Sequence, residues 1–175
     1  MKKLHITLFC VLCGILYAQE TIYCLIQSGD DDAYQLYRHS SWGVATGEMF
    51  VDTDMLQMGY ISGDLLFYDI GLRYQSVPVP PGSVIVSAHI QFSSFEANDD
   101  TIPMQIYGEL NPAPLPFTNV DYNITDRENT SNMVIWSAKE WQGGFFNGPN
   151  MRTTNLKDIV QEIIDMDGWA QGNPL

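Results

Sequence analysis

The stretch GLRYQSVPVPPGSVIVSAHIQF, residues 71–92, decides the fold class. From Val84 onward, Val84, Val86, Ala88, Ile90 and Phe92 fall on one side of an extended chain. Ser87, His89, Gln91 and Ser93 fall on the other, with Ile85 the single exception. Successive side chains of a strand point to opposite faces, so the pattern predicts a half-buried strand. The preceding residues behave alike: Leu66, Tyr68, Ile70, Leu72 and Tyr74 share one side, and Asp69, Gly71, Arg73 and Gln75 the other. Residues 77–82, VPVPPG, cannot sit inside a ladder, because proline has no backbone donor. Pro81-Gly82 suits the centre of a type II turn, where glycine supplies the positive φ. The connection is too long for a tight hairpin, which leaves the two strands open to lie in different sheets.

Working outward, residues 21–27, 48–51, 102–108 and 131–136 read as further strands, the last continuous enough to be buried on both sides. Acidic turns occupy residues 28–32 and 96–100. Short strands separated by turn residues predict a mainly β chain, an antiparallel β-sandwich of jelly-roll type. One helix interrupts the pattern near the C-terminus. Leu156, Ile159, Val160, Ile163 and Ile164 have the spacing of a single apolar helix face. Asn155 is the expected N-cap, and Asp167-Gly168 the expected stop.

The N-terminus reads as a secretory signal over residues 1–18. Lys2 and Lys3 precede an apolar run too short to cross a bilayer, with a cleavage point after Ala18. A buried N-terminal strand or helix, and lipidation at Cys13 or Cys24, are the alternatives. Removing 18 of 175 residues leaves 157, enough for one domain with its own core. Six basic residues then face 21 acidic ones, a formal charge of −15 against −13 for the whole chain. That balance argues against nucleic acid and anionic membranes as partners, and for a soluble exported monomer. Cys24 alone remains, so no intramolecular disulfide supports the fold.

Several blocks occur in order along the mature chain. They are Asp31-Asp32-Ala33, Asp54-Met55-Leu56, Gly71-Leu72-Arg73-Tyr74, Pro81-Gly82-Ser83-Val84-Ile85 with Ser87-Ala88-His89-Ile90-Gln91-Phe92, Ile106-Tyr107-Gly108-Glu109, Trp136 with Trp141, and Gly168-Trp169 with Gly172-Asn173. Together they resemble a non-catalytic β-sandwich module of secreted multidomain bacterial proteins, akin to DNRLRE-type domains and jelly-roll carbohydrate-binding modules. The DNRLRE hexapeptide itself is absent. The resemblance implies a cell-surface or extracellular location in a Gram-negative-type bacterium. It also implies one or two further strands after the Gly-Asn block, so residues 19–175 are expected to form a single module incomplete at its C-terminal end. By the same similarity Asp31, Asp32 and Asp54 are the candidate ligands of a structural calcium, which takes carboxylate and carbonyl oxygens from loops.

Catalytic chemistry finds little support in the residues. No Gly-x-Ser-x-Gly elbow accompanies His39 or His89. With 21 acidic residues, carboxylate pairs are guaranteed and decide nothing between enzyme and solvated surface. Trp42, Trp141 and Tyr122 lie in polar loops and are the candidates for stacking on sugar rings; packing in the core is the competing reading of each. Trp136 reads as packed, Trp169 as docked on the helix, and Arg73 as the partner of a carboxylate. The expectation is a non-enzymatic extracellular module binding polysaccharide or another surface polymer, as the accessory part of a larger protein. The alternatives are a spacer without ligand and a small calcium-dependent hydrolase.

Overall fold

The computed structural model describes residues 3–10, 18–38, 46–61, 66–145 and 147–175. Among the described residues nine strands and one α-helix follow in the order β1 (Lys3–Cys10), β2 (Ala18–Leu25), β3 (Asp32–Arg38), β4 (Glu48–Val51), β5 (Gly59–Ile61), β6 (Leu66–Leu72), β7 (Val84–Gln91), β8 (Ile102–Glu109), β9 (Asn129–Ala138) and α1 (Lys157–Ile164). All pairings are antiparallel, in sheets of order β2-β1-β7, β4-β3-β6-β5 and β8-β9. The mainly β class with one C-terminal helix is thus the class expected, the strands from patterns such as residues 71–92 and the helix from the spacing of Leu156, Ile159, Val160, Ile163 and Ile164. The chain forms two compact, interleaved units. One comprises Met1–Leu25, Tyr74–Pro114 and Asn129–Leu175; the other comprises Ile26–Arg73 and Leu115–Glu128.

In the first unit the proline connection behaves as its sequence requires. Gly82 takes φ +76°, and the Ser83 amide donates to the Pro80 carbonyl at 3.3 Å, which closes the expected turn. β6 and β7, on either side of it, belong to different sheets. Val77 and Val79 are fully buried. Residues 74–77 exchange backbone hydrogen bonds with residues 172–175, and the Trp169 indole donates to the Val79 carbonyl at 3.0 Å.

The phase of β7 departs from strict alternation. Thr7 pairs with Ser87 but Leu8 with Ile85, so Val86 is an extra, unpaired residue. Such a bulge moves every residue before it to the other face. Ile85 is therefore buried while Val84 and Val86 are 48% and 45% exposed, the reverse of the sequence expectation. Ala88 and Phe92, beyond the bulge, are buried as expected.

The β7 edge away from β1 is closed by side chains. The Ile85 amide donates to Gln161 Oε1 at 2.8 Å, the Ala88 amide to Asn155 Oδ1 at 3.0 Å, and the Ile90 amide to Thr153 Oγ1 at 3.0 Å. Asn155 also accepts the Lys157 amide, so it ties the start of α1 to β7 from one position before the cap, which is Leu156. The helix buries Ile159, Val160, Ile163 and Ile164 against β7, β8 and β9. It ends at Ile164, ahead of the expected Asp167-Gly168 stop; Gly168 shapes the following turn at φ +95°. Gly108 makes the helix contact possible, since a Cβ there would lie 2.6 Å from Ile163 Cδ1 and 2.9 Å from Ile159 Cγ2.

β9 is buried on one face only. Trp136 and Ala138 are buried, while Met133 and Ile135 on the opposite face are 40% and 60% exposed. The continuous apolar run suggested burial on both sides. A two-stranded sheet with the helix on one face leaves the other to solvent.

The second unit centres on β3. Ala33, Met49 and Phe117 form its core, with Val51 and Ile124 packed against them. Tyr34 stacks on Phe50 with centroids 4.7 Å apart and meets Tyr68 edge-on at 5.8 Å. Gln35, nearly fully buried, accepts the Ile124 and Thr125 amides at 3.2 Å each and donates to Thr125 Oγ1 at 2.9 Å. One amide side chain thereby fixes a turn ninety residues away in sequence.

Candidate functional site

The described residues among those singled out from the sequence fall in different units. Trp42 lies outside the described residues. Tyr122 belongs to the second unit, with φ +65°; its ring covers Gly47, whose carbonyl accepts the Tyr122 amide at 2.8 Å. Trp141 belongs to the first unit and packs on Phe92 and Trp136, with centroids 6.1 and 6.0 Å away. Both rings are held as packing elements.

Asp31 and Asp32 are buried at the start of β3, and Asp54 is exposed in the turn after β4. Asp31 is fully buried, and its carboxylate accepts a hydrogen bond from the Arg73 guanidinium. Arg73 thus has the carboxylate partner expected of it. That pairing turns Asp31 to a cation of the chain itself. Among the described residues no three His, Cys, Asp or Glu side chains gather as a metal-holding group. Cys24 is buried at 6% exposure, and desolvation pushes its thiol pKa up, away from the reactive thiolate. His89 sits 3.1 Å from the Thr153 carbonyl through Nδ1, a structural contact within the first unit.

A different place offers a concave surface. The end of β9 and residues 149–154 enclose an open groove of about 400 Å³. A smaller hollow of about 230 Å³ adjoins it and shares Pro149 and Asn150. Residues 149–151 form a 3-10 turn, held against the end of β7. There the Phe92 amide donates to the Met151 carbonyl at 2.9 Å and the Thr153 amide to the Ile90 carbonyl at 3.0 Å. The Gln91 side chain anchors the approach to this turn through the Gly148 carbonyl at 3.1 Å.

Trp136, 4% exposed, lines the groove from below. It stacks on Phe92 at 5.4 Å with the rings 9° apart, and the third ring, Trp141, braces both. Three mutually packed rings make a stiff support. The lining mixes polar and apolar surface: Ser137, Asn150 and Thr154 offer hydroxyl and amide groups, beside Ile135 and Pro149. Lys139 and Arg152 add two cations.

Sequence reasoning missed this site. Its two walls are separated by ten residues that carry no strand pattern, and they meet at Phe92, whose amide bonds the 3-10 turn and whose ring stacks on Trp136 of β9. The available signal was the scarcity of basic residues, eight against 21 acidic ones, with two of the eight at Lys139 and Arg152. Comparison of the chain with protein-family models, curated proteins and solved structures finds no match.

Proposed function

We propose that this chain is a non-catalytic, exported module that binds a polysaccharide or another surface polymer, and that it serves as an accessory part of a larger secreted or cell-surface protein. The groove between β9 and residues 149–154 is the single observation that supports this reading most. It is open to solvent and backed by the packed rings of Phe92, Trp136 and Trp141, and it carries hydroxyl and amide groups beside apolar surface. A polymer crossing such a surface contributes alternating hydroxyls and apolar ring faces, which match that lining. The resemblance of the ordered blocks to exported β-sandwich modules adds to it, as does the strongly acidic composition suited to a soluble exported protein.

The test is a glycan array with the folded full chain, followed by the Asn150→Ala and Ser137→Ala variants. Binding to at least one polysaccharide, weakened severalfold by either substitution, is expected. A folded chain that binds no polymer on the array overturns the reading and leaves a spacer without ligand. The N-terminal sequence of the protein recovered from an export-competent host tests the export half of the proposal, with Gln19 as the expected first residue.

A further inference from the structure

We infer that the groove takes an anionic polymer, one carrying carboxylate or sulfate groups, and that Lys139 and Arg152 are the residues that recognise it. This rests on the polymer-binding reading above and names its ligand class.

Of the eight Lys and Arg of the chain, five have described side chains: Arg73, Arg127, Lys139, Arg152 and Lys157. Arg73 is paired with buried Asp31. Arg127 donates to the Leu115 and Pro116 carbonyls and lies over the Phe117 ring at 4.4 Å. Lys157 stands 3.9 Å from Asp158. These cations are answered by the protein itself. Lys139 and Arg152 differ: both are exposed, both line one groove, and among the described residues neither forms an ion pair.

A chain of net charge −13 repels anions at a distance. That field is screened beyond roughly 10 Å at ordinary ionic strength, so local charge governs a ligand in contact. Two cations without an ion pair, beside Ser137 and Asn150, then supply charge-assisted donors together with neutral hydrogen-bonding groups, against a single carboxylate, Glu140, in the adjoining hollow. A guanidinium matches the two oxygens of a carboxylate or sulfate with parallel hydrogen bonds, and an ammonium adds a second point charge. Neutral sugars would use the hydroxyl and amide groups and leave both cations without a partner. A uronate or a sulfated sugar uses both sets.

The experiment is calorimetric titration of the full chain with oligogalacturonate, with a sulfated oligosaccharide, and with neutral cello-, xylo- and manno-oligosaccharides. At least one anionic ligand is expected to bind more tightly than every neutral one, and the carboxylate and sulfate arms tell the two sources apart. Lys139→Ala together with Arg152→Ala is expected to weaken that ligand at least about tenfold. The charge-conserving pair Lys139→Arg and Arg152→Lys should keep most of the affinity, and Lys157→Ala all of it. Both groove cations are exposed, so an unchanged melting temperature establishes that the variants fold. Tighter binding of a neutral ligand, or full affinity in the double alanine variant, overturns this inference and leaves the polymer reading standing. No binding to any polymer overturns both.

Discussion

The two units bury polar groups of different size and charge. In the unit built on β3–β6, Asp31 and Gln35 lie in the interior, and each is met by the chain's own groups, Arg73 for one and the 124–125 turn for the other. In the unit built on β7–β9 and α1, the small hydroxyls of Ser83, Ser94, Thr130 and Thr153 are buried and hydrogen-bonded within the chain, the surroundings of Phe92, Trp136 and Trp141 are aromatic, and larger polar side chains line a groove. A buried polar group answered internally stabilises a fold but has nothing left for a ligand. Polar and charged groups at a rim keep that capacity. The contrast separates Asp31, whose carboxylate is paired with Arg73, from the groove, whose Lys139 and Arg152 form no ion pair among the described residues.

The largest test of this division is removal of residues 1–18. β1 pairs with β2 along one edge and with β7 along the other. Without it both strands lose a full ladder, and the apolar positions Ile22, Cys24, Ile85 and Ala88 lose the strand between them. A chain beginning at Gln19 is expected to lose hydrogen-exchange protection across β2 and β7 while β3 and β6 stay protected. Unchanged protection of β7 would show that β1 does not hold its sheet. The same comparison bears on export. A leader cleaved after Ala18 and a central strand exclude each other in one mature molecule, so the N-terminus of the exported protein decides which form carries the groove.

Next in size is the buried ion pair of the other unit. Arg73→Ala takes the guanidinium from a fully buried carboxylate and is expected to cost about 3–5 kcal/mol in urea denaturation. Asp31→Asn combined with Arg73→Met removes both charges and should recover a large part of that loss. A single variant as stable as the parent would remove the claim that this unit is locked by internal polarity.

Local patterns made some of this legible in the sequence. The β6 and β7 strands, the Pro81-Gly82 turn and the apolar face of α1 all follow from spacing within a few residues. The phase of β7 was not legible, because the bulge at Val86 exists only against β1. β1 falls in residues read first as a leader and second as a buried strand or helix, since an apolar run behind two lysines fits both. β3 was hidden by Gln35, a polar residue on the buried side whose role depends on a turn ninety residues on. The groove was the least legible feature, since its walls come from two segments joined only through tertiary packing.

A smaller effect sharpens the account of how the groove-bearing unit closes its sheet edges. Gln161 reaches from α1 to the β7 edge, accepting the Ile85 amide and donating to the Ser83 carbonyl at 3.1 Å. Gln161→Leu keeps most of the volume but leaves both backbone groups without that partner. A loss of about 1–3 kcal/mol is expected in chemical denaturation. A loss near zero would mean that water replaces the side chain and that α1 is held by its apolar face alone.

The smallest expected effect is a pH dependence at the other sheet edge served by α1. Glu162 Oε1 accepts the Ser131 amide at 2.7 Å, and Oε2 accepts the Asn132 amide at 2.9 Å and its side-chain Nδ2 at 2.7 Å. The Asn132 amide first, then the Ser131 amide, holds the Glu162 carboxyl below its ordinary value, because these donors favour the charged form. A group whose pKa is lower folded than unfolded stabilises the fold above the unfolded pKa and loses that contribution as pH falls through the folded one. The contribution of Glu162 is therefore present at neutral pH and fades below about pH 4.3, the usual unfolded glutamate value. Glu162→Gln removes the charge at every pH. Melting temperatures of parent and variant should differ slightly at pH 7 and converge in acid, and the exposed site keeps the difference small and sensitive to salt. Curves that stay parallel down to about pH 3 would mean that the carboxylate charge does not reach the β9 amides, and that the first turn of β9 is held by its pairing with β8 alone.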